Sequence, residues 1–131
     1  MAGGEPVILD TCALLWLACG DKALTRAALK RINEAPAIYL STISGFEIAI
    51  KAGKGNLSLP LPAQEWLDKV VEHHGITIVP LDLAICVKAA QLPRIHDDPC
   101  DRFIIATAQI SGFAVVTRDE RFEKYGLTVL A

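Results

Sequence analysis

Five short apolar runs constrain the fold of this chain more than any other feature. They are Pro6-Val7-Ile8-Leu9, Ala37-Ile38-Tyr39-Leu40, Ile76-Thr77-Ile78-Val79, Ala114-Val115-Val116-Thr117 and Leu127-Thr128-Val129-Leu130. Each is bounded by Gly, Pro, Asp or Ser. Continuous runs of this length suit strands buried on both faces. Helical patterns lie between them. One begins just after Asp10, and others cover about Leu24 to Glu34, Ile43 to Lys54, Ala63 to His74, Asp82 to Gln91 and Pro99 to Ser111. Gly55, Gly75 and Gly112 supply stops, and Pro99 suits a first helical position. The alternation predicts a parallel sheet sandwiched between helices, with any ligand outside the carboxyl ends of the strands.

The 131 residues match one ordinary domain. Hydrophobic residues make up 52% of the chain, and mean hydropathy is +0.36. That richness suggests that some apolar surface faces a partner. The apolar stretch Cys12 to Cys19 is too short to span a bilayer. Met-Ala-Gly-Gly-Glu-Pro at the start has neither the basic nor the apolar segment of a signal peptide, so a cytoplasmic location is expected. Cys12, Cys19, Cys86 and Cys100 form no Cys-x-x-Cys pair and are expected to be buried, reduced thiols. His73 and His74 are adjacent and make a poor metal pair, and no zinc pattern is present. A net charge of −2 does not advertise nucleic-acid binding. It does not exclude it either, because a bound divalent ion would offset a local acidic cluster.

Several carboxylates stand out, and each has a plain structural alternative. Asp10 follows the first predicted strand, at the ligand edge, with the Thr11 hydroxyl beside it; it could equally cap the next helix. Glu47 shares a helix face with Ile43 and Ile50, and a carboxylate in an apolar stripe needs a partner. That partner is either a metal ion or Lys51, four residues on. In His96-Asp97-Asp98-Pro99-Cys100-Asp101-Arg102, Asp98 fits the N-cap and Asp101 the first turn. Capping accounts for Asp98 well and for Asp101 less completely. Asp119 lies just past another strand end, or caps a short helix over Glu120 to Lys124. Asp82 is assigned to capping. Taken together, Asp10 and Asp119 sit at ends of strands that point the same way. Glu47 and Asp101 sit on helices that the crossover rule returns to that edge. Carboxylates converging there would repel unless a cation joined them, and oxygen donors favour Mg²⁺ or Mn²⁺.

The order and spacing of four segments resemble PIN-domain ribonucleases, and more narrowly the VapC-like toxins of bacterial toxin–antitoxin pairs. The segments are Ile8-Leu9-Asp10-Thr11-Cys12-Ala13-Leu14-Leu15-Trp16, Ser44-Gly45-Phe46-Glu47-Ile48-Ala49-Ile50-Lys51, His96-Asp97-Asp98-Pro99-Cys100-Asp101-Arg102 and Val116-Thr117-Arg118-Asp119. The resemblance implies a single PIN-like domain over 1–131, an α/β/α sandwich on a mainly parallel five-stranded sheet. It implies a catalytic and metal-binding quartet of Asp10, Glu47, Asp101 and Asp119 around Mg²⁺ or Mn²⁺. Thr11 and Thr117 would support it, and Asp98 would be an auxiliary acid. An RNA substrate, a cognate antitoxin and homodimerisation are implied as well. Cys12, Phe46 and Cys100 stand where relatives often have His, Trp and Phe; none of these departures removes a carboxylate.

Arg94, Arg102 and Arg118 could bind phosphate, with Arg102 and Arg118 the candidates, and each could equally be a surface or structural arginine. Leu14, Leu15, Trp16 and Leu17, with Phe46 and Ile50, are a candidate surface for an amphipathic antitoxin helix, against ordinary burial as the plain alternative. Two other functions share a strand-end Asp. A haloacid-dehalogenase-like phosphatase needs a second Asp two residues on, where this chain has Cys12. A receiver-like interaction module would not call for Glu47 in an apolar helix.

Overall fold

The computed structural model describes residues 4–131. Residues 1–3, on which part of the leader expectation rests, lie outside the described residues. The five apolar runs form β1 (Val7–Leu9), β2 (Ile38–Ser41), β3 (Ile76–Val79), β4 (Ala114–Val116) and β5 (Val129–Leu130). They make one sheet in the order β3-β2-β1-β4-β5, and every neighbouring pair is parallel. The predicted parallel five-stranded sheet is therefore the observed one. The last strand is shorter than the Leu127–Leu130 run, because only Val129 and Leu130 pair with β4.

Side chains alternate across the sheet and divide the core in two. Val7, Leu9, Leu40, Ala114 and Val116 face one side with Leu14, Ile32, Ile48 and Trp66. These come from α1 (Thr11–Cys19), α2 (Arg26–Glu34), α3 (Thr42–Gly53) and α4 (Ala63–His74). Ile8 and Val115 face the other side with Ile85, Ala89, Ile104, Ile105 and Phe122, from α5 (Leu83–Gln91), α6 (Pro99–Ser111) and a 3-10 helix at Glu120–Tyr125. Ile8, Leu9 and Val115 are fully buried, and each such side chain contributes about 1.5–3 kcal/mol of transfer free energy. Both faces of the central strands are thus covered, which is why their sequences are apolar without a break.

Helix starts follow their caps. Thr25 accepts from the Ala28 N–H, so α2 begins at Arg26. Ser41 caps α3, and Asp82 caps α5 as expected. Gly75 and Gly112 end α4 and α6 with φ of 63° and 75°, a backbone conformation costly for residues with a Cβ. Among the described residues, no helix is long and apolar enough to cross a membrane.

All four cysteines are free thiols, but their expected burial is overturned. Cys12 and Cys19 are exposed, and Cys86 and Cys100 are only partly buried. Cys12 and Cys19 lie seven residues apart, on the same outward face of α1, opposite the face that buries Ala13 and Leu14.

Candidate metal centre

β1 lies at the centre of the sheet, with β2 on one side and β4 on the other. Chain order reverses at this point, and the crevice past the carboxyl ends of β1 and β4 is where such sheets bind ligands. Asp10 follows β1, and Thr117, Arg118 and Asp119 follow β4. Helices α3 and α6 start at the same edge and bring Glu47 and Asp101. A cleft of about 230 Å³ results, lined by Asp10, Glu47, Asp98, Asp101 and Asp119, with Cys12, Lys51 and Arg118 among its other walls.

Asp10 is 6% exposed. Its Oδ1 accepts the Ala13 N–H at 2.7 Å, which caps α1, and its Oδ2 accepts the Thr117 hydroxyl at 2.5 Å. Capping and site position are thus compatible roles for one carboxylate, since two oxygens offer about four acceptor positions. Burial pushes the Asp10 pKa up, and the Thr117 and Ala13 hydrogen bonds pull against it. Thr11 does not touch these acids through its hydroxyl; it donates to Ser44 Oγ at 2.9 Å and ties α1 to α3.

Glu47 pairs with Lys51 through Oε2 at 3.2 Å. The alternative partner suggested by the sequence is therefore present. It accounts for only one oxygen: Oε1 is buried and has no hydrogen-bond partner among the described residues. An orphaned anionic oxygen costs the full desolvation of that atom. The apolar stripe is also less uniform than its sequence, since Ile43 is buried but Ile50 is 38% exposed.

Asp98 caps α6, its Oδ1 accepting the Cys100 N–H at 2.9 Å, and it also borders the cleft. Asp101 stands one turn inside. Burial first, then repulsion from Asp98, Asp10, Glu47 and Asp119, raises its pKa to about 7. All five acids line the one cleft; among the described residues, Asp101 and Asp119, with His96, are the ones whose ligand atoms all lie within 4.8 Å of one another. Asp119 behaves in the opposite way. The Arg121 side chain, foremost among its partners, lowers its pKa to about 2. Asp119 receives Arg121 through its N–H, Nε and Nη2 at 3.0, 3.0 and 2.7 Å, and His96 Nε2 at 3.0 Å. Those four bonds fill the acceptor positions of the carboxylate.

Two of these groups were not singled out in the sequence. His96 is 1% exposed and its Nε2 lies 2.9 Å from Asp101 Oδ2 as well as beside Asp119. Its separation from those acids matches no helical or strand period. The Arg121 side chain sits two residues past Asp119, the one local hint to their pairing. Arg102, in contrast, is drawn away from the acidic cleft. Its guanidinium donates to the carbonyls of Ala89, Ala90, Leu92, Pro93 and His96. This is the structural role that the sequence left as the alternative for Arg102. Arg118 is exposed at the cleft wall, where its Nη1 reaches the Ala23 carbonyl at a long 3.4 Å.

The donor set fits a hard divalent cation. It consists of carboxylate oxygens, one of them buried without a partner among the described residues, and one on an acid whose pKa burial, and then its carboxylate neighbours, raise to about 7.

Comparison with known proteins gives a consistent picture. The family model for the PIN domain matches residues 7–127. Ribonuclease VapC22 of Mycobacterium tuberculosis is 32% identical over 120 residues, covering 91% of each chain. Among solved structures, VapBC2 from Rickettsia felis bound to a promoter DNA fragment matches with a TM-score of 0.68 at 14% identity, over 95% of this chain and 97% of that one. A toxin–antitoxin complex from Klebsiella pneumoniae matches with a TM-score of 0.66 at 21% identity, over 95% and 96%. At these identities the two structures show a shared fold.

Proposed function

The chain belongs to the PIN-domain family, and on that premise we propose that it is a metal-dependent endoribonuclease, the cytoplasmic toxin of a toxin–antitoxin pair. One observation carries the reading: the buried Oε1 of Glu47, unpartnered among the described residues, in the cleft that Asp10 and Asp101 also line. Asp10, Glu47 and Asp101 would hold the ion, Mg²⁺ or Mn²⁺, and Asp119 would be a fourth donor when free of Arg121. When bound, such an ion lowers the pKa of a coordinated water and shields phosphate charge. The protein's own side chains do the positioning. Thr117 and the Ala13 N–H fix both oxygens of Asp10. Lys51, Arg118 and Arg121 supply positive charge around the acids, where the phosphates of an RNA strand would run.

The 32% identity to a protein named a ribonuclease supports the substrate class. A cognate antitoxin is proposed because solved relatives of this fold are toxin–antitoxin complexes. Its place is the apolar surface of Trp16 and Leu17 on α1 together with Phe46, which is 58% exposed. Homodimerisation is proposed through α5 and α6, where Leu83, Val87 and Ile110 are 80%, 47% and 49% exposed.

The test is cleavage of RNA by the purified protein with Mg²⁺ or Mn²⁺, with and without EDTA. Cleavage that EDTA abolishes and added metal restores is expected. Full activity in EDTA would overturn the metal role. Hydrolysis of small phosphoesters without RNA cleavage would overturn the substrate class in favour of a phosphatase.

A further inference from the structure

His96 offers a nitrogen within 4.8 Å of one oxygen each from Asp101 and Asp119, close enough to look like a third metal ligand. Its hydrogen bonding says otherwise. Nδ1 lies 3.2 Å from the Asp98 N–H. A main-chain N–H only donates, so Nδ1 presents its lone pair and the ring hydrogen resides on Nε2. That Nε2–H faces Asp101 Oδ2 at 2.9 Å and Asp119 Oδ2 at 3.0 Å. A nitrogen that carries a hydrogen has no lone pair to give to a metal.

The residue is also held at its main chain and packed at its ring. The His96 N–H donates to Tyr125 Oη at 2.8 Å, and its carbonyl accepts Arg102 Nη1 at 2.9 Å. Its face meets Phe122 edge-on, with centroids 5.8 Å apart and planes at 88°. The residue is 1% exposed, so water does not compete for its donor.

We infer that His96 is a positioning residue: one Nε2–H, shared between Asp101 on α6 and Asp119 after β4, draws the two carboxylates together and turns the second oxygen of Asp101, and that of Asp119 when Arg121 releases it, toward the cation. This rests on the metal-dependent reading above. His96 thereby joins a helix and a strand end that nothing else in the cluster connects so directly. It also offsets part of the repulsion between the two acids with a donor that stays in place when the ion arrives.

The experiment measures Mn²⁺ binding to the RNA-free protein by electron paramagnetic resonance, for wild type, His96→Phe and His96→Gln. Fold is monitored by circular dichroism. Partners of metal-binding carboxylates typically matter by about 10- to 100-fold in affinity. His96→Phe keeps the bulk and removes the donor, so a loss of that size is expected. His96→Gln keeps an amide N–H near the Nε2 position and is expected to recover most of it. Equal affinity in wild type and a folded His96→Phe would overturn the inference, as would equal losses in both folded variants. Nitrogen-15 NMR of the wild-type imidazole gives a second reading if His96→Phe fails to fold. Hydrogen on Nε2, retained on adding Mg²⁺, is expected; hydrogen on Nδ1, or its loss from Nε2 with metal, would overturn the inference. Absence of Mn²⁺ binding in the wild type would instead bring down the nuclease reading itself.

Discussion

The hydroxyl of Thr117 donates to Asp10 Oδ2 at 2.5 Å and accepts the N–H of Asp119 at 3.1 Å. One small side chain thus links the end of β1 to the turn after β4. Its removal leaves a buried carboxylate short of a donor. Thr117→Val is expected to cost about 1.5–3 kcal/mol, the range for a hydrogen bond to a charged group, and to weaken metal binding and RNA cleavage by roughly 10- to 100-fold. Thr117→Ser keeps the hydroxyl and should recover most of both. Urea melts and initial cleavage rates check this; a Thr117→Val protein with wild-type activity would refute it.

Asp101→Asn separates function from stability. Asp101 carries the repulsion of four neighbouring carboxylates. Neutralising it should abolish cleavage while stabilising the metal-free protein at pH 8 by about 1–3 kcal/mol. Thermal melts with EDTA and cleavage assays with Mg²⁺ give the two readouts. A variant that is less stable without metal would contradict the electrostatic account.

Stability without metal should fall as pH rises from about 4 to about 7. Asp101 has a folded pKa of about 7, above its ordinary value of 3.8. In that window the folded state holds a proton that the unfolded state has released, so raising the pH favours unfolding, by an amount on the order of a few kcal/mol. Burial raises Asp10 and acts with the same sign. Asp119 acts oppositely. Its pKa of about 2, set foremost by Arg121, gives stability that is present above pH 4 and lost as pH falls toward 2. Denaturation in EDTA across pH 3 to 8 should show a maximum near the lower end. Saturating Mg²⁺ should remove the decline on the alkaline side.

The two arginines proposed from sequence should part company. Arg102 satisfies five carbonyls between Ala89 and His96. Arg102→Ala should destabilise the protein by more than about 2 kcal/mol, since bonds from a charged donor are worth about 1.5–3 each and are not additive. Arg118 is exposed at the cleft wall. Arg118→Ala should leave the melting temperature within a degree or two, as for about ±0.5 kcal/mol at surface sites, and raise KM for RNA. Steady-state kinetics and thermal melts distinguish the two.

Much of this was legible in the sequence where a local rule was sufficient. Val7–Leu9 and Ala114–Val116 are apolar throughout because helices cover both faces, and Asp10 and Asp119 are placed by their strand ends. Burial of the cysteines was not legible, because the composition of α1 conceals which face Cys12 shows to solvent. The bonds from His96 depend on a loop folding back over α6 and on the turn after β4, contacts that carry no periodic trace. Arg102 reads in the sequence as a candidate phosphate binder, and only the path of residues 89–96 around its guanidinium reveals its structural role.

Placing β4 directly beside β1 has a consequence for how the protein is made. Asp10 and Glu47 are translated well before Asp101, Thr117 and Asp119. A nascent chain truncated before residue 114 lacks β4, one of the two strands that pair with β1, and with it the hydroxyl that holds Asp10 and the last of the acids. Long-range parallel pairing of this kind forms late and slowly. The centre can therefore assemble only after synthesis has passed Asp119.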